Sequence, residues 1–173
     1  MKGLSRLPQE APPPWRPPPL DGLVPIPTYL DAPITPVANL RGVDLEREPV
    51  RVEVVGSGHW TLLVFLSADC TGCLPIWEAL ADPAGSGLAK NEVVVAVTRD
   101  PGTDDPEVLR SLVPTGATVV MSDDAWSAYR VQGAPFFALI DGRADAPSTV
   151  ATEGVAWAVE QIAADVARAR GRT

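Results

Sequence analysis

Residues Trp60 to Ser67 read WTLLVFLS, a run with no charged side chain and no alternation between polar and apolar positions. A strand with one wet face alternates, whereas a strand covered on both faces does not. This run therefore belongs in the middle of a sheet with helices packed above and below it. Val93 to Thr98, VVVAVT, has the same character. A chain with two such strands needs helices between and around them.

The remaining pattern supplies those helices. Leu74, Trp77, Leu80 and Ala81 fall at helical spacing. Asp105-Pro106 opens a short helix through Leu109 and Leu112, with Asp as N-cap and Pro in the first turn. Ser122-Asp123-Asp124 caps a helix bearing Trp126 and Tyr129. Val155, Val159, Ile162 and Val166 form the stripe of a last helix that ends in Arg168, Arg170 and Gly171. Further strands are read at 50–55, 118–121, 135–140 and 148–152, the last two joined by Asp141-Gly142. The order predicts an α/β domain, a mixed sheet flanked by helices on both faces.

Residues 1–36 differ. Eleven prolines, from Pro8 to Pro36, crowd this segment. They fix φ and remove backbone donors, so the segment is expected as an extended, proline-rich tail, with the folded domain over 37–173. The bland role is a surface linker, and the sharper one a ligand for an aromatic-lined groove.

Composition narrows the function classes. The chain has 173 residues, 46% apolar and 21% charged, which suits a single core that needs no staples. Net charge is −8, from 14 basic and 22 acidic residues, and no basic block occurs, so nucleic acid is an unsuitable partner. No glycine-rich loop with a phosphate-binding lysine is present. The start, MKGLSRLPQEAPPP, has basic residues but no apolar region behind them, and no run approaches the ~18 apolar residues of a membrane span. These features give a soluble, cytoplasmic expectation, where a disulfide is transient rather than a permanent staple.

The only two cysteines, Cys70 and Cys73, stand three positions apart where the buried run gives way to the first helix. A thiolate at a helix start meets unpaired N–H groups and the positive end of the macrodipole, so the Cys70 thiol is expected below the ordinary range. Cys70 would be the exposed attacker and Cys73 the resolving thiol. Zinc would need four ligands, and His59 is the sole further candidate within one chain, so no metal is expected. A disulfide closing so short a loop stabilises little. A redox pair remains the strongest reading, with zinc shared by a dimer and a passive staple behind it. Glu78, His59 and the stretch Asp100 to Glu107 are read as solvated.

The strand LLVFLS, the motif Cys70-Thr71-Gly72-Cys73 and the segment Gly133-Ala134-Pro135-Phe136-Phe137 together resemble the thioredoxin superfamily over about residues 40–170. An extra N-terminal β-hairpin makes the chain look like the TlpA/ResA-like or MauD-like branch, close to the peroxiredoxins. The resemblance implies a cis-proline at Pro135 facing the cysteines, with the backbone of Ala134 pairing with a substrate chain. It implies thiol–disulfide exchange on a protein or small-molecule disulfide, with an external thiol donor and no cofactor. Asp69, Thr71, Gly72 and Trp77 would support the pair. Asp69 stands where many members carry Trp, and its charge opposes a thiolate. Val64 stands where thioredoxins bury an aspartate that relays a proton. Pro75 lies two residues after the second cysteine, not five. The rival reading is a binding or accessory module whose Cys-x-x-Cys is a switch or idle. A thiol peroxidase ranks last, for want of an arginine near the motif.

Overall fold

The computed structural model describes residues 36–143 and 147–171. The proline-rich segment lies outside the described residues, except for Pro36. Among the described residues the elements run β1 (Leu40–Val43), β2 (Pro49–Val52), β3 (Trp60–Phe65), a 3-10 turn (Thr71–Cys73), α1 (Leu74–Ala79), β4 (Val93–Thr98), α2 (Pro106–Leu112), β5 (Thr118–Met121), α3 (Asp123–Ala128), β6 (Phe136–Asp141), β7 (Thr149–Val155) and α4 (Val159–Arg170). The strands form one mixed sheet in the order β2-β1-β5-β4-β3-β6-β7. Strands β3, β4 and β5 run parallel, while β6 pairs antiparallel with β3 and β7 pairs antiparallel with β6.

Every residue of β3 is buried. Its side chains divide by parity, as a pleated strand requires. Leu62 and Val64 join a cluster with Ile76 and Trp77 of α1, Leu109 of α2, and Ile162 and Val166 of α4. Leu63 and Phe65 join a second cluster with Val95, Val97, and Ala125 and Trp126 of α3. Fully burying each such side chain contributes roughly 1.5–3 kcal/mol. Phe136 and Phe137 split in the same way, Phe137 into the first cluster and Phe136 against the second. Helices therefore cover both faces, as the uninterrupted run demands.

The caps are those the sequence names. The Asp105 side chain accepts from Glu107 N–H, with Pro106 in the first turn. The Ser122 hydroxyl oxygen accepts from Ala125 N–H at 3.0 Å. Several bounds differ. The strand read at 50–55 is Pro49–Val52, because Asn39 Oδ1 takes the N–H groups of Val54 and Val55 (2.9 and 2.8 Å) out of the ladder. Its hairpin partner β1 carries weak strand signal, since LRGV includes a glycine. That glycine allows close approach: a Cβ on Gly42 would overlap the carbonyl oxygen of Met121 on β5. The last helix begins at Val159, and Val155, read as part of its stripe, ends β7 and is exposed.

Tyr129, 1% exposed, closes the second cluster behind Phe65 (ring centroids 5.7 Å apart). Its hydroxyl donates to the Ala38 carbonyl at 2.7 Å and accepts from Ala38 N–H at 3.2 Å, tying the entry to β1 onto α3. Burial pushes the phenol from 10.0 up to about 12, and the Ala38 N–H, which would favour a phenolate, works against that shift. A folded value above the unfolded one gives stability that is complete below the unfolded value and lost as pH rises through the folded one. Chemical denaturation of Tyr129→Phe should show a loss of about 1–2 kcal/mol at neutral pH. Between pH 10 and 12 the variant should lose less stability than the parent.

Candidate functional site

The site is built at the end of β3. After Phe65 the chain still pairs once with β4, Leu66 N–H donating to the Val97 carbonyl at 3.0 Å. It then turns through Ser67, Ala68 and Asp69 to Cys70, whose backbone is extended (φ −88°, ψ 103°). Cys73 N–H donates to the Cys70 carbonyl at 3.0 Å and opens the 3-10 turn. Cys70 and Cys73 form a disulfide, with Cα atoms 5.3 Å apart.

The two cysteines are not equivalent. Cys73 is 0% exposed and belongs to the core cluster under α1 and α4. Cys70 is partly exposed and only leans on that cluster. The order expected from the sequence, an outer attacker and an inner resolving thiol, is thus a matter of burial. Thr71 and Gly72 between them are exposed. Trp77 is buried beneath the motif, and its indole N–H is without a protein partner among the described residues.

The helix behind the motif is shorter than the spacing implies. Leu80 lies past its end, with its N–H shared between the carbonyls of Ile76 and Trp77. Pro75 sits in the first turn, where a missing N–H costs little. Six residues carry only part of a helix dipole, so the first-turn N–H groups matter more to a thiolate than the helix as a whole.

The second half of the site arrives from β6. The Ala134–Pro135 peptide is cis. The proline ring lies across the motif: a Cβ built on Gly72 would meet Pro135 Cδ at 3.7 Å, an ordinary contact. The Pro135 carbonyl accepts from Ala156 N–H at 2.9 Å, which fixes the segment from behind. Among the described residues no backbone partner holds the N–H or C=O of Ala134. The structure thus brings Cys70, Thr71, Gly72, Cys73, Ala134 and Pro135 to one end of the central strand.

Other sequence-named residues fall as follows. Val64 is fully buried in apolar surroundings, so no carboxylate lies at that place on the strand. Glu78 and Asp69 are exposed. His59 lies in the turn before β3, away from the cysteine end of that strand. No group of three or more His, Cys, Asp or Glu residues fit to hold a metal occurs among the described residues. Two neighbours of the site were not singled out by sequence. Trp157 is 80% exposed one residue past Ala156, its N–H held by Gln161 Oε1 at 2.8 Å. Asp104 was read as part of a solvated loop, yet it is 3% exposed. An indole after a strand gives no sequence signal of exposure, and DPGTDDPE does not say which of its acids turns inward.

No protein-family profile and no curated protein matches the chain. Solved structures do. A Chlorobium tepidum protein assigned as a DsbE thiol:disulfide interchange protein has a TM-score of 0.60 at 22% identity, over 79% of this chain and 94% of that one. A thioredoxin-like protein from Aeropyrum pernix has 0.56 at 17% identity, over 75% and 89%. A secreted Mycobacterium tuberculosis disulfide oxidoreductase homologous to E. coli DsbE has 0.54 at 21% identity, over 75% and 95%. The fold is thioredoxin-like.

The burial difference has a direct chemical consequence. After mild reduction of the folded protein, a bulky maleimide should label Cys70 and spare Cys73. Peptide mapping should find both labelled only once denaturant is added.

Proposed function

We propose that this thioredoxin-like domain is a thiol–disulfide oxidoreductase that reduces protein disulfides. The observation that carries the reading is the asymmetric cysteine pair. A partly exposed cysteine and a fully buried one close a disulfide at the end of the central strand, with Pro135 laid against the turn between them. The similar solved structures include named disulfide oxidoreductases, which supports the same chemistry.

The exchange runs in two displacements. Cys70, as thiolate, attacks one sulfur of a substrate disulfide. The substrate S–S bond breaks, a Cys70–substrate S–S bond forms, and the departing thiolate takes a proton. Cys73 then loses its proton and attacks the Cys70 sulfur. The mixed disulfide breaks, the Cys70–Cys73 bond forms, and the second substrate thiol leaves. The substrate gains two electrons and two protons, and an external thiol donor returns the pair to the dithiol. No cofactor takes part in either step.

A polypeptide substrate fits the surroundings better than a small disulfide. The unpaired backbone groups of Ala134 offer an extended chain two hydrogen bonds. Trp157, with Leu74 and Val155, adds exposed apolar surface near the site. We place this activity in the cytoplasm as a net reductant, although one of the similar proteins is secreted. Among the described residues no helix is long and apolar enough to cross a membrane.

The second reading, a binding module with a switching or idle pair, draws on Val64, which puts an apolar side chain where a proton relay would stand. Insulin reduction with dithiothreitol as donor separates the two. Turnover that disappears in Cys70→Ser, together with a trapped mixed disulfide in Cys73→Ser, is the expected result. No turnover by a folded parent protein would leave the module. Trp157→Ala should raise KM for insulin about three- to tenfold, in line with the loss of one exposed aromatic contact. The rate on a small aromatic disulfide should not change.

A further inference from the structure

A buried carboxylate costs several kcal/mol unless it is paired or well hydrogen-bonded. Asp104, 3% exposed, meets no cationic side chain among the described residues; the nearby Arg99 guanidinium pairs with Asp123 at 3.3 Å. Three donors hold it instead. Its Oδ1 accepts from Ala68 N–H at 3.1 Å and from the Ser67 hydroxyl at 2.9 Å, and its Oδ2 accepts from Arg99 N–H at 3.0 Å. Those donors lie just past the ends of β3 and β4, so one carboxylate clips the two strand ends together beside the place where Cys70 emerges.

Ser67 has a second acidic neighbour. Its Oγ lies 2.5 Å from Asp69 Oδ1, and a hydroxyl carries a single hydrogen. The hydroxyl can donate to one carboxylate at a time, so Asp104 and Asp69 are coupled through it. Asp69 directly precedes Cys70, and Asp104 is hydrogen-bonded to the residues two and three positions before it; a nearby like charge disfavours the anion that this sulfur must become. The other charged groups around these residues are Asp100, whose carbonyl accepts from Asp104 N–H at 3.0 Å, the helix cap Asp105, and the Arg99–Asp123 pair. On the motif side are Glu78 and Glu160, which line one notch with Pro75. The facing segment Gly133 to Phe136 is uncharged.

We infer that Asp104 is a positioning residue of this site: it fixes residues 67 and 68 and takes the Ser67 hydroxyl hydrogen that Asp69 would otherwise accept, so that negative charge left beside Cys70 suppresses its thiolate. Couples whose reduced form is stabilised as thiolate are oxidising. Withholding that stabilisation poises this pair toward reduction. The inference rests on Cys70 and Cys73 being a redox couple, but its test needs no turnover.

The test is the pH profile of iodoacetamide alkylation of Cys70 in the reduced protein, for the parent, Asp104→Asn, Asp69→Asn and the double variant. Asp104→Asn should alkylate about fivefold faster at pH 7, with the profile moved to lower pH, on the order of the effect of removing one nearby charge near a protein surface. The double variant should fall short of the product of the single effects, because both act on one hydroxyl hydrogen. A lower Tm with an unmoved profile would make Asp104 a loop anchor only and overturn the inference, as would effects that multiply. If Asp104→Asn does not fold, the parent protein suffices. Coupling is reciprocal, so the Asp104 carboxyl carbon signal in the reduced protein should step at the pH where Cys70 titrates. A signal that stays flat through that pH overturns the inference. Insulin turnover by the same parent sample reports separately on the oxidoreductase reading.

Discussion

The two-sided burial of β3 is the constraint on which the other features rest. A strand with β4 on one side, β6 on the other and helices over both faces can end in only one kind of place, at the rim where the layers stop. The chain leaving that rim has its preceding atoms held by hydrogen bonds and packing on every side. The two cysteines inherit that rigidity. Cys73 falls back into the core under α1, while Cys70 stays at the surface. The asymmetry that exchange chemistry needs is therefore a by-product of how a buried strand hands over to a helix.

The rim is also where distant segments meet. Pro135 reaches Gly72 because β6 runs antiparallel beside β3, with Phe136 registered against Phe65. Asp104 reaches Ser67 and Ala68 because β4 runs parallel on the other side and its exit loop lies at the same end of the sheet. Each neighbour of the central strand thus brings one part to this end of the sheet: β6 the uncharged segment with Pro135, β4 the buried carboxylate of Asp104.

Much of this was legible in the residues. WTLLVFLS named the central strand, and the caps at Asp105 and Ser122 named two helix starts, because burial on both faces and capping are local consequences of composition. The Cys-x-x-Cys at a strand end named the pair that is bonded in the structure, and the resemblance to thioredoxins pointed to Pro135 as the segment beside it. Less legible were features that depend on a partner far away in sequence. The N-terminal hairpin was expected, but the residues of β1 were not placed, because Gly42 answers to the Met121 carbonyl rather than to any strand propensity. α1 was read too long because its stripe continues through Leu80 and Ala81 after the hydrogen-bond ladder has ended.

Local sequence by itself determined the layers, the central strand and the identity of the two sulfurs. Periodicity and capping act within a few residues, and a chain with these runs has few ways to hide them. Tertiary structure alone decided which of the acids in DPGTDDPE turns inward and which aromatic stays in solvent. It also decided how much of each cysteine is covered. Those outcomes depend on donors and surfaces brought together across 36 or 37 positions of sequence, as between Asp104 and the Ala68 N–H or the Ser67 hydroxyl. Hydrogen bonding and burial are settled by what is near in space, and sequence spacing does not carry that information.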